Sequence, residues 1–257
     1  MSVLSYLTNK ASAAVLSSTE KDSINRSVST LQSRLGAYFG GDLKSHFRFG
    51  SSTRGTILPR AMDEHSDIDY MIVFKDGDSV PQTYLDRLRR FVEKYYTRSE
   101  IYQSSPTIVL VLNHIKFDLV PAKTAWYGGF QIPNGAGGWE DTDPNDFNTT
   151  LEEKNKNNSN LIKPTIRLAK YWNAVNGYVY DSFSFEKWIV AQWFLGCTNQ
   201  KDYFFNVFDN LSPGSEQTQW RRDKLTRAKQ IIANVREYER QAMPVTAEQE
   251  VKKLIPE

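Results

Sequence analysis

The stretch HSDIDYMIVF, His65–Phe74, decides the fold of this chain because it places two carboxylates at the start of an apolar run. Asp67 and Asp69 are separated by one residue. In a strand, such residues project from the same face about 6.5–7 Å apart. A second apolar run, HIKFDLVP (His114–Pro121), contributes Asp118. If the two runs form neighbouring strands, the three carboxylates lie on one acidic edge.

Three carboxylates packed together repel one another and raise one another's pKa, so such a cluster is stable mainly when divalent cations neutralise it. Two Mg²⁺ (or Mn²⁺) ions roughly 3.5–4 Å apart are the usual occupants, because they clamp the attacking and leaving oxygens of an in-line phosphoryl transfer. Asp67, Asp69 and Asp118 are therefore predicted to be the catalytic residues and the metal ligands. The alternative for the first two is a solvated strand start, since acidic pairs with this spacing are common.

The segment GSSTRGT, Gly50–Thr56, follows an alternating stretch, Leu43–Phe49, and is expected to turn from a strand into a loop or helix. Gly50 would let the backbone approach a triphosphate without an intervening Cβ. Ser51 offers a hydroxyl and backbone amides to phosphate oxygens. Arg54 is a further candidate phosphate ligand, with an exposed arginine as the alternative. The alternative for the glycine and serine is an ordinary turn.

Composition bounds the class of protein. The chain has 257 residues, of which 40% are apolar, so it can bury a core as one large domain or two lobes. The net charge of +2 does not demand nucleic acid as a partner. A single cysteine, Cys197, excludes an internal disulfide and a multi-cysteine zinc site. Without a secretory or membrane-spanning pattern, a cytoplasmic protein with no membrane association is expected.

Periodicity predicts an α+β protein, with strands and helices in its first half and helices in its second. From Trp126 the sequence becomes rich in glycine and then polar, which places the boundary between a first lobe, residues 1–150, and a helical lobe, residues 151–257. A helix over about 17–38 is predicted to begin with a capping box of Ser17 and Glu20. The other predicted elements are helices at Pro81–Tyr96, Leu161–Asn176, Ser184–Gly196, Gln200–Asn210, Glu216–Met243 and a last one capped by Thr246, with strands at Leu43–Phe49, Ile68–Phe74, Thr107–Leu112 and Ile115–Val120.

The ordered set of a GS turn, a strand with two carboxylates, and a later strand with a third resembles the DNA polymerase β nucleotidyltransferase superfamily. The resemblance implies a two-lobed nucleotidyltransferase with a mixed sheet flanked by helices, in which the helix over about 17–38 packs along both lobes. Fifteen residues separate Ser51 from Asp67, a few more than is usual in that superfamily, which predicts an insertion around Pro59–Glu64.

The second half narrows the resemblance. LIKPTIRLAKYWN followed by DSFSFEKW resembles the helical lobe of cGAS-like and oligoadenylate-synthase-like enzymes, whose bacterial members are the CD-NTases. By that resemblance Lys170 holds the donor triphosphate, Ser182 touches its phosphates and Phe183 stacks on the base. The alternatives are a solvated helix face for the lysine and ordinary core for the phenylalanine.

The resemblance implies a synthase that joins NTPs, ATP among them, into a cyclic di- or trinucleotide with release of pyrophosphate in anti-phage signalling. Its expected partners are NTPs, with no requirement for nucleic acid and with any regulatory protein unidentified. The alternatives are transfer to an RNA 3′ end, a protein or a small molecule, or a non-catalytic nucleic-acid sensor or binding module. The glycine-rich segment 128–138, with Tyr127, Phe130 and Trp139, is either a mobile wall near the acceptor or a long loop.

Overall fold

The computed structural model describes residues 2–75, 79–104, 106–212 and 218–257. The chain divides into two compact units: a sheet unit, residues 16–60 and 64–148, and a helical unit, residues 1–15, 61–63 and 149–257. The predicted boundary between residues 150 and 151, and the predicted packing of the helix over 17–38 along both lobes, stay predictions.

The predicted α+β class, with a mixed sheet and flanking helices, is confirmed. In chain order the elements are α1 (Val3–Ala13), α2 (Ser18–Phe39), β1 (Leu43–Arg48), α3 (Ser51–Arg54), β2 (Asp67–Phe74), α4 (Pro81–Tyr95), β3 (Glu100–Ser104), β4 (Thr107–Val111), β5 (Lys116–Thr124), β6 (Phe130–Pro133), β7 (Trp139–Thr142), α5 (Asp146–Asn157), α6 (Ile162–Val175), α7 (Ser182–Ala191), α8 (Gln200–Asn210), α9 (Gln219–Arg240) and α10 (Pro244–Val251).

The sheet has the strand order β1-β2-β5-β4-β3, with β6 and β7 continuing from β5. Strands β2 and β5 are parallel, and the other pairs are antiparallel. Helices α2 and α4 contribute to a core on one face, where alternate residues of β2 from Ile68 to Phe74 are buried. Because strand side chains alternate, Asp67 and Asp69 belong to the opposite face. We call this second side the carboxylate face.

Local sequence explains why the flanking helices begin where they do. The Ser17 hydroxyl accepts a hydrogen bond from the Glu20 amide at 3.2 Å, and the Glu20 carboxylate accepts one from the Ser17 amide at 2.9 Å. This confirms the predicted capping box of α2. Pro81 is at the first turn of α4, where its missing N–H costs nothing.

Five elements were not predicted from the sequence: α1, β3, the two strands of the β6–β7 hairpin, and α5. The hairpin occupies the glycine-rich segment, where the Asn134 side chain accepts hydrogen bonds from the amides of Ala136 and Gly138, both at 2.9 Å. Phe130 packs on Phe47 with their ring centroids 5.4 Å apart. The interpretation of this segment as a long loop is therefore wrong.

Three predicted helix boundaries also need correction. Helix α7 begins at Ser182, two residues before the predicted start, because Asp181 caps it by accepting a hydrogen bond from the Ser184 amide at 2.8 Å. It ends at Ala191, well before Gly196. Helix α10 begins at Pro244 rather than after a cap at Thr246. The predicted start of α9, Glu216, lies outside the described residues.

The helical unit has a core of its own, to which α1 contributes by packing against α6, α8 and α10. The Tyr6 hydroxyl on α1 donates to the Ile255 carbonyl at 2.7 Å. Residues 61–63, from the predicted insertion, belong to this unit, and the Tyr178 hydroxyl donates to the Asp63 carboxylate at 2.6 Å. Within the described part of the chain, no helix combines the length and apolarity needed to cross a membrane.

Candidate active site

Strand register brings the three predicted carboxylates together in the sheet unit. In the parallel pair of β2 and β5, Asp69 lies directly opposite Asp118, and Asp67 lies opposite Lys116. Residues opposite each other in neighbouring strands share a face. Ile68 alternates with the two acids of β2 and is fully buried on the helix-covered face. The hydrophobic pattern of β2 therefore fixes the direction of the carboxylates, since a shift of one residue would bury them.

Gly50 lies against the second carboxylate. Its backbone has φ +71° and ψ −154°, a conformation that residues with a Cβ rarely adopt. A Cβ built at this position would lie 1.9 Å from Oδ2 of Asp69. The amide of Phe49 donates to the carbonyl of Asp69 at 3.1 Å, which ties the turn to β2. Only glycine lets the GS turn approach the carboxylate this closely, and Ser51 then begins the short helix α3.

Lys116 is a residue of the site that the sequence argument missed. Its ammonium lies 3.3 Å from Oδ2 of Asp67 and 3.7 Å from Oδ1 of Asp118. Burial alone would lower the pKa of Lys116, but Asp118 and Asp67, with a smaller contribution from Tyr102, raise it above its usual value. The ammonium therefore stays charged and partly neutralises the acids. The signal was present in the sequence, because residues 116 and 118 must share a face of one strand.

Asp118 has an unusual protonation equilibrium. Burial and the neighbouring charge of Asp67 raise its pKa from 3.8 to about 6, although Lys116 acts in the opposite direction. Its Oδ1 atom is buried and accepts no hydrogen bond from any residue in the described part of the chain. The ammonium at 3.7 Å is too far for a good hydrogen bond. A buried carboxylate oxygen in this state is available to another ligand.

The donor chemistry of the cluster suits Mg²⁺ or Mn²⁺, which prefer carboxylate oxygens. In the conformation described, no group of three acidic, histidine or cysteine side chains among the described residues converges on one point as metal ligands do. The Lys116 ammonium lies between Asp67 and Asp118 instead. The residues fit a divalent cation in type and in face, provided that the cation takes over the ammonium's role as counter-ion.

Arg54, at the end of α3, is buried, with 6% of its surface exposed. Its guanidinium lies 5.7 Å from the ring centroid of Phe147, a cation–π distance. The alternative of an exposed arginine is therefore wrong. Its role as a phosphate ligand stays a prediction.

The other predicted nucleotide ligands belong to the helical unit, on the packed helices α6 and α7. Lys170 on α6 is buried at 7% exposure, so its interpretation as a solvated helix residue is wrong. Ser182 is the first residue of α7. Phe183 is 45% exposed, with the Lys187 ammonium 5.5 Å from its ring centroid, so it is not ordinary core. Both lobes thus carry their predicted residues on defined elements, and the roles in nucleotide binding stay predictions.

Comparison with known proteins gives a family match over the first part of the chain. The Second Messenger Oligonucleotide or Dinucleotide Synthetase (SMODS) domain matches residues 1–155, more than half of the chain. A probable cyclic nucleotide synthase from Bacillus cereus is 28% identical over 199 residues, which cover 62% of this chain and 56% of the relative. This chain therefore spans just over half the length of that curated relative.

Solved structures share the fold. The structure of CdnC from E. coli MS115-1 with ATP has a TM-score of 0.74 at 16% identity and covers 99% of this chain and 98% of its own. The CD-NTase CdnG from Bradyrhizobium diazoefficiens, in complex with GTP, has a TM-score of 0.72 at 11% identity and covers 97% of each chain.

Proposed function

The chain belongs to the SMODS family, and we propose that it is a nucleotidyltransferase that uses divalent cations to join NTPs into a cyclic di- or trinucleotide. The observation that carries the proposal is the register of β2 and β5, which aligns Asp69 with Asp118 beside the glycine of the GS turn. The names of the curated relative and of the CD-NTase neighbours, one of them bound to ATP and one to GTP, support the same activity.

The proposal assigns cation binding to the carboxylates and nucleotide binding to the other candidate residues. Asp67, Asp69 and Asp118 would hold the cations, which when bound neutralise phosphate charge and lower the pKa of the acceptor hydroxyl. Gly50 and Ser51 would receive the donor triphosphate, because the turn presents backbone donors with no side chain between them and the phosphates. The helical unit would contribute Lys170, Ser182 and Phe183 to the same donor. ATP is among the expected substrates.

The reaction itself follows from the geometry of in-line transfer. A hydroxyl of the acceptor nucleotide attacks the α-phosphorus of the donor, a P–O bond forms, and pyrophosphate leaves from the opposite side. A linear product that rebinds with its ends exchanged has both a triphosphate and a hydroxyl in position. A second transfer then closes the ring. We propose anti-phage signalling in bacteria as the setting, on the basis of the resemblance to CD-NTases.

A direct assay tests the product. Purified protein is incubated with each radiolabelled NTP in turn, with the other three unlabelled, and with Mg²⁺ or Mn²⁺. The products are then treated with phosphatase and a 3′ exonuclease. A resistant labelled product is expected, because a ring has no terminal phosphate and no free end. Complete digestion in every mixture would contradict cyclic synthesis.

Asp69→Asn separates the chemistry from the fold. The substitution removes one ligand charge with little change in shape, so nearly all transfer should be lost. The melting temperature without metal should stay the same or rise slightly, since one repelling carboxylate has gone. The transfer rate and the melting temperature, measured on the same preparation, check the loss of activity and the preservation of the fold. Wild-type turnover, or an unfolded variant, would contradict the assignment.

A further inference from the structure

We infer that Tyr102 is the surface on which the base of the acceptor nucleotide stacks. The inference rests on the proposed function and assigns the acceptor base to a position on the sheet. Three steps support it: the side chain shares the carboxylate face, it lies on the side away from the donor, and its ring is accessible.

Cross-strand register places Tyr102 in one row with the carboxylates. Tyr102 on β3 pairs with Val109 on β4, Val109 pairs with Asp118 on β5, and Asp118 pairs with Asp69 on β2. Side chains in such a row project from one face. The neighbouring residue Gln103 points to the other face, where its side chain hydrogen-bonds to Gln82 of α4. Tyr102 therefore lies on the carboxylate face.

In-line transfer decides which side of the carboxylates the acceptor must occupy. The attacking oxygen approaches the phosphorus opposite the leaving pyrophosphate. Gly50 and Ser51, which would receive the donor triphosphate, connect β1 to β2 and therefore lie at the β1 side of the carboxylates. The acceptor then lies toward β4 and β3. Two strand spacings separate Tyr102 from Asp118, about 9–10 Å, which the ribose and base of one nucleotide can bridge.

Exposure distinguishes Tyr102 from Val109, its partner in the row. Val109, which lies between the tyrosine and Asp118 in the row, is 1% exposed, whereas Tyr102 is 40% exposed. An exposed aromatic ring beside a charged site is suited to stacking, because every base has a π-face. Stacking of this kind tolerates any base, so Tyr102 should set the affinity for the acceptor and not its identity.

The test uses two nucleotides that cannot exchange roles. A labelled 2′,3′-dideoxy-NTP has no acceptor hydroxyl and acts only as donor, whereas an α,β-methylene NTP cannot release pyrophosphate and acts only as acceptor. One linear product forms from the pair, and the KM of each is measured separately with Mg²⁺. Tyr102→Ala and Tyr102→Leu should raise the acceptor KM about 5- to 150-fold, the loss expected for one base–aromatic stack. The donor KM should change less than about threefold, and Tyr102→Phe should behave like wild type.

Trp126→Ala is a matched control. Trp126 is 92% exposed and follows Thr124, the far end of β5, which is six residues beyond Asp118 along that strand or about 20 Å away. Its removal should change neither KM. Thermal melting of all variants checks the fold, and the leucine variant keeps a strand-compatible side chain if the alanine variant is unstable. Wild-type protein that forms no linear product contradicts the proposed function. Wild-type product formation with an unchanged acceptor KM in Tyr102→Leu overturns the inference alone.

Discussion

The structure leaves no space for a side-chain methyl group at residue 50. Gly50→Ala would place Cβ 1.9 Å from the Asp69 carboxylate in a backbone conformation that favours glycine. The carboxylate must move, and a displacement of about 1 Å in a transfer site costs roughly 100-fold in rate. We expect transfer to fall at least that far, with a loss of about 1–3 kcal/mol in the free energy of unfolding. Transfer rates and denaturant unfolding measure the two effects.

Gly40→Ala is the control for backbone strain. Gly40 also has a positive φ, +52°, and a negative ψ, −121°, but a Cβ there would meet no atom within 4 Å. This variant should lose similar stability and keep wild-type transfer. Equal transfer rates in the two variants would mean that the contact between Gly50 and Asp69 has no part in the reaction.

Asp118→Asn tests the electrostatic cost of bringing the three carboxylates together. A carboxyl whose pKa is raised on folding from 3.8 to about 6 stabilises the fold below pH 3.8, and that stability is lost as the pH rises through 6. At pH 7.5 the loss is up to about 3 kcal/mol. Without metal, the asparagine variant should therefore melt several degrees above wild type at pH 7.5. The difference should shrink as the pH falls to 5.

The effect of Mg²⁺ on the melting temperature provides a control within the same experiment. Added Mg²⁺ should stabilise wild type more than Asp118→Asn, because only wild type keeps all three acids for the cation. A variant that melts below wild type at pH 7.5 without metal would show that the pairing of Asp118 with Lys116 outweighs burial and repulsion.

Spacing with a physical meaning predicted the three carboxylates of the candidate site, whereas Lys170, Ser182 and Phe183 were implied by the family resemblance. Alternation in β2 and β5 puts the carboxylates on one face, and the register then aligns them. Lys116 could have been predicted from the same alternation. The burial of Arg54 and Lys170 could not, since burial of a cation depends on contacts between elements distant in the chain.

At the scale of elements, prediction succeeded where the amphipathic pattern was strong. Helices α2 and α4 bury regular stripes, and their ends carry a capping box and a proline. Strand β3 is an edge strand with alternate residues exposed, so its core signal is weak. The β6–β7 hairpin depends on cross-strand pairing and on the Asn134 turn in a glycine-rich segment. Helix α5 buries few of its residues, so the sequence contained little periodicity.

Ser17→Ala tests whether the capping box holds the start of α2. The alanine cannot accept the hydrogen bond from the Glu20 amide, which should lower the free energy of unfolding by about 1 kcal/mol. In a chain of this size that corresponds to a melting temperature lower by about 2–4 °C. Ser29→Ala, at an exposed position inside the same helix, should instead be neutral or stabilising by a few tenths of a kcal/mol. Equal shifts in the two variants would contradict a specific role for the cap.

For the whole molecule, the resemblance to bacterial CD-NTases is confirmed by the family match over residues 1–155 and by the shared fold. Such similarity supports the chemistry of transfer better than the choice of acceptor, because one fold hosts many acceptors. Net charge bears on that choice. With 32 basic and 30 acidic side chains, the protein has only +2 to attract a polyanion.

The acceptor is where cyclic synthesis and RNA tailing differ most. An enzyme that holds an RNA tract relies on several phosphate contacts, and its affinity falls steeply between 50 and 200 mM salt. Synthesis from free NTPs makes fewer such contacts, so activity should fall only modestly over that range. Offered a labelled RNA oligonucleotide with all four NTPs, the protein should leave the RNA length unchanged while it converts NTPs to a phosphatase-resistant product. If the RNA lengthens and that product does not form, the protein is instead an RNA nucleotidyltransferase that uses the same three carboxylates.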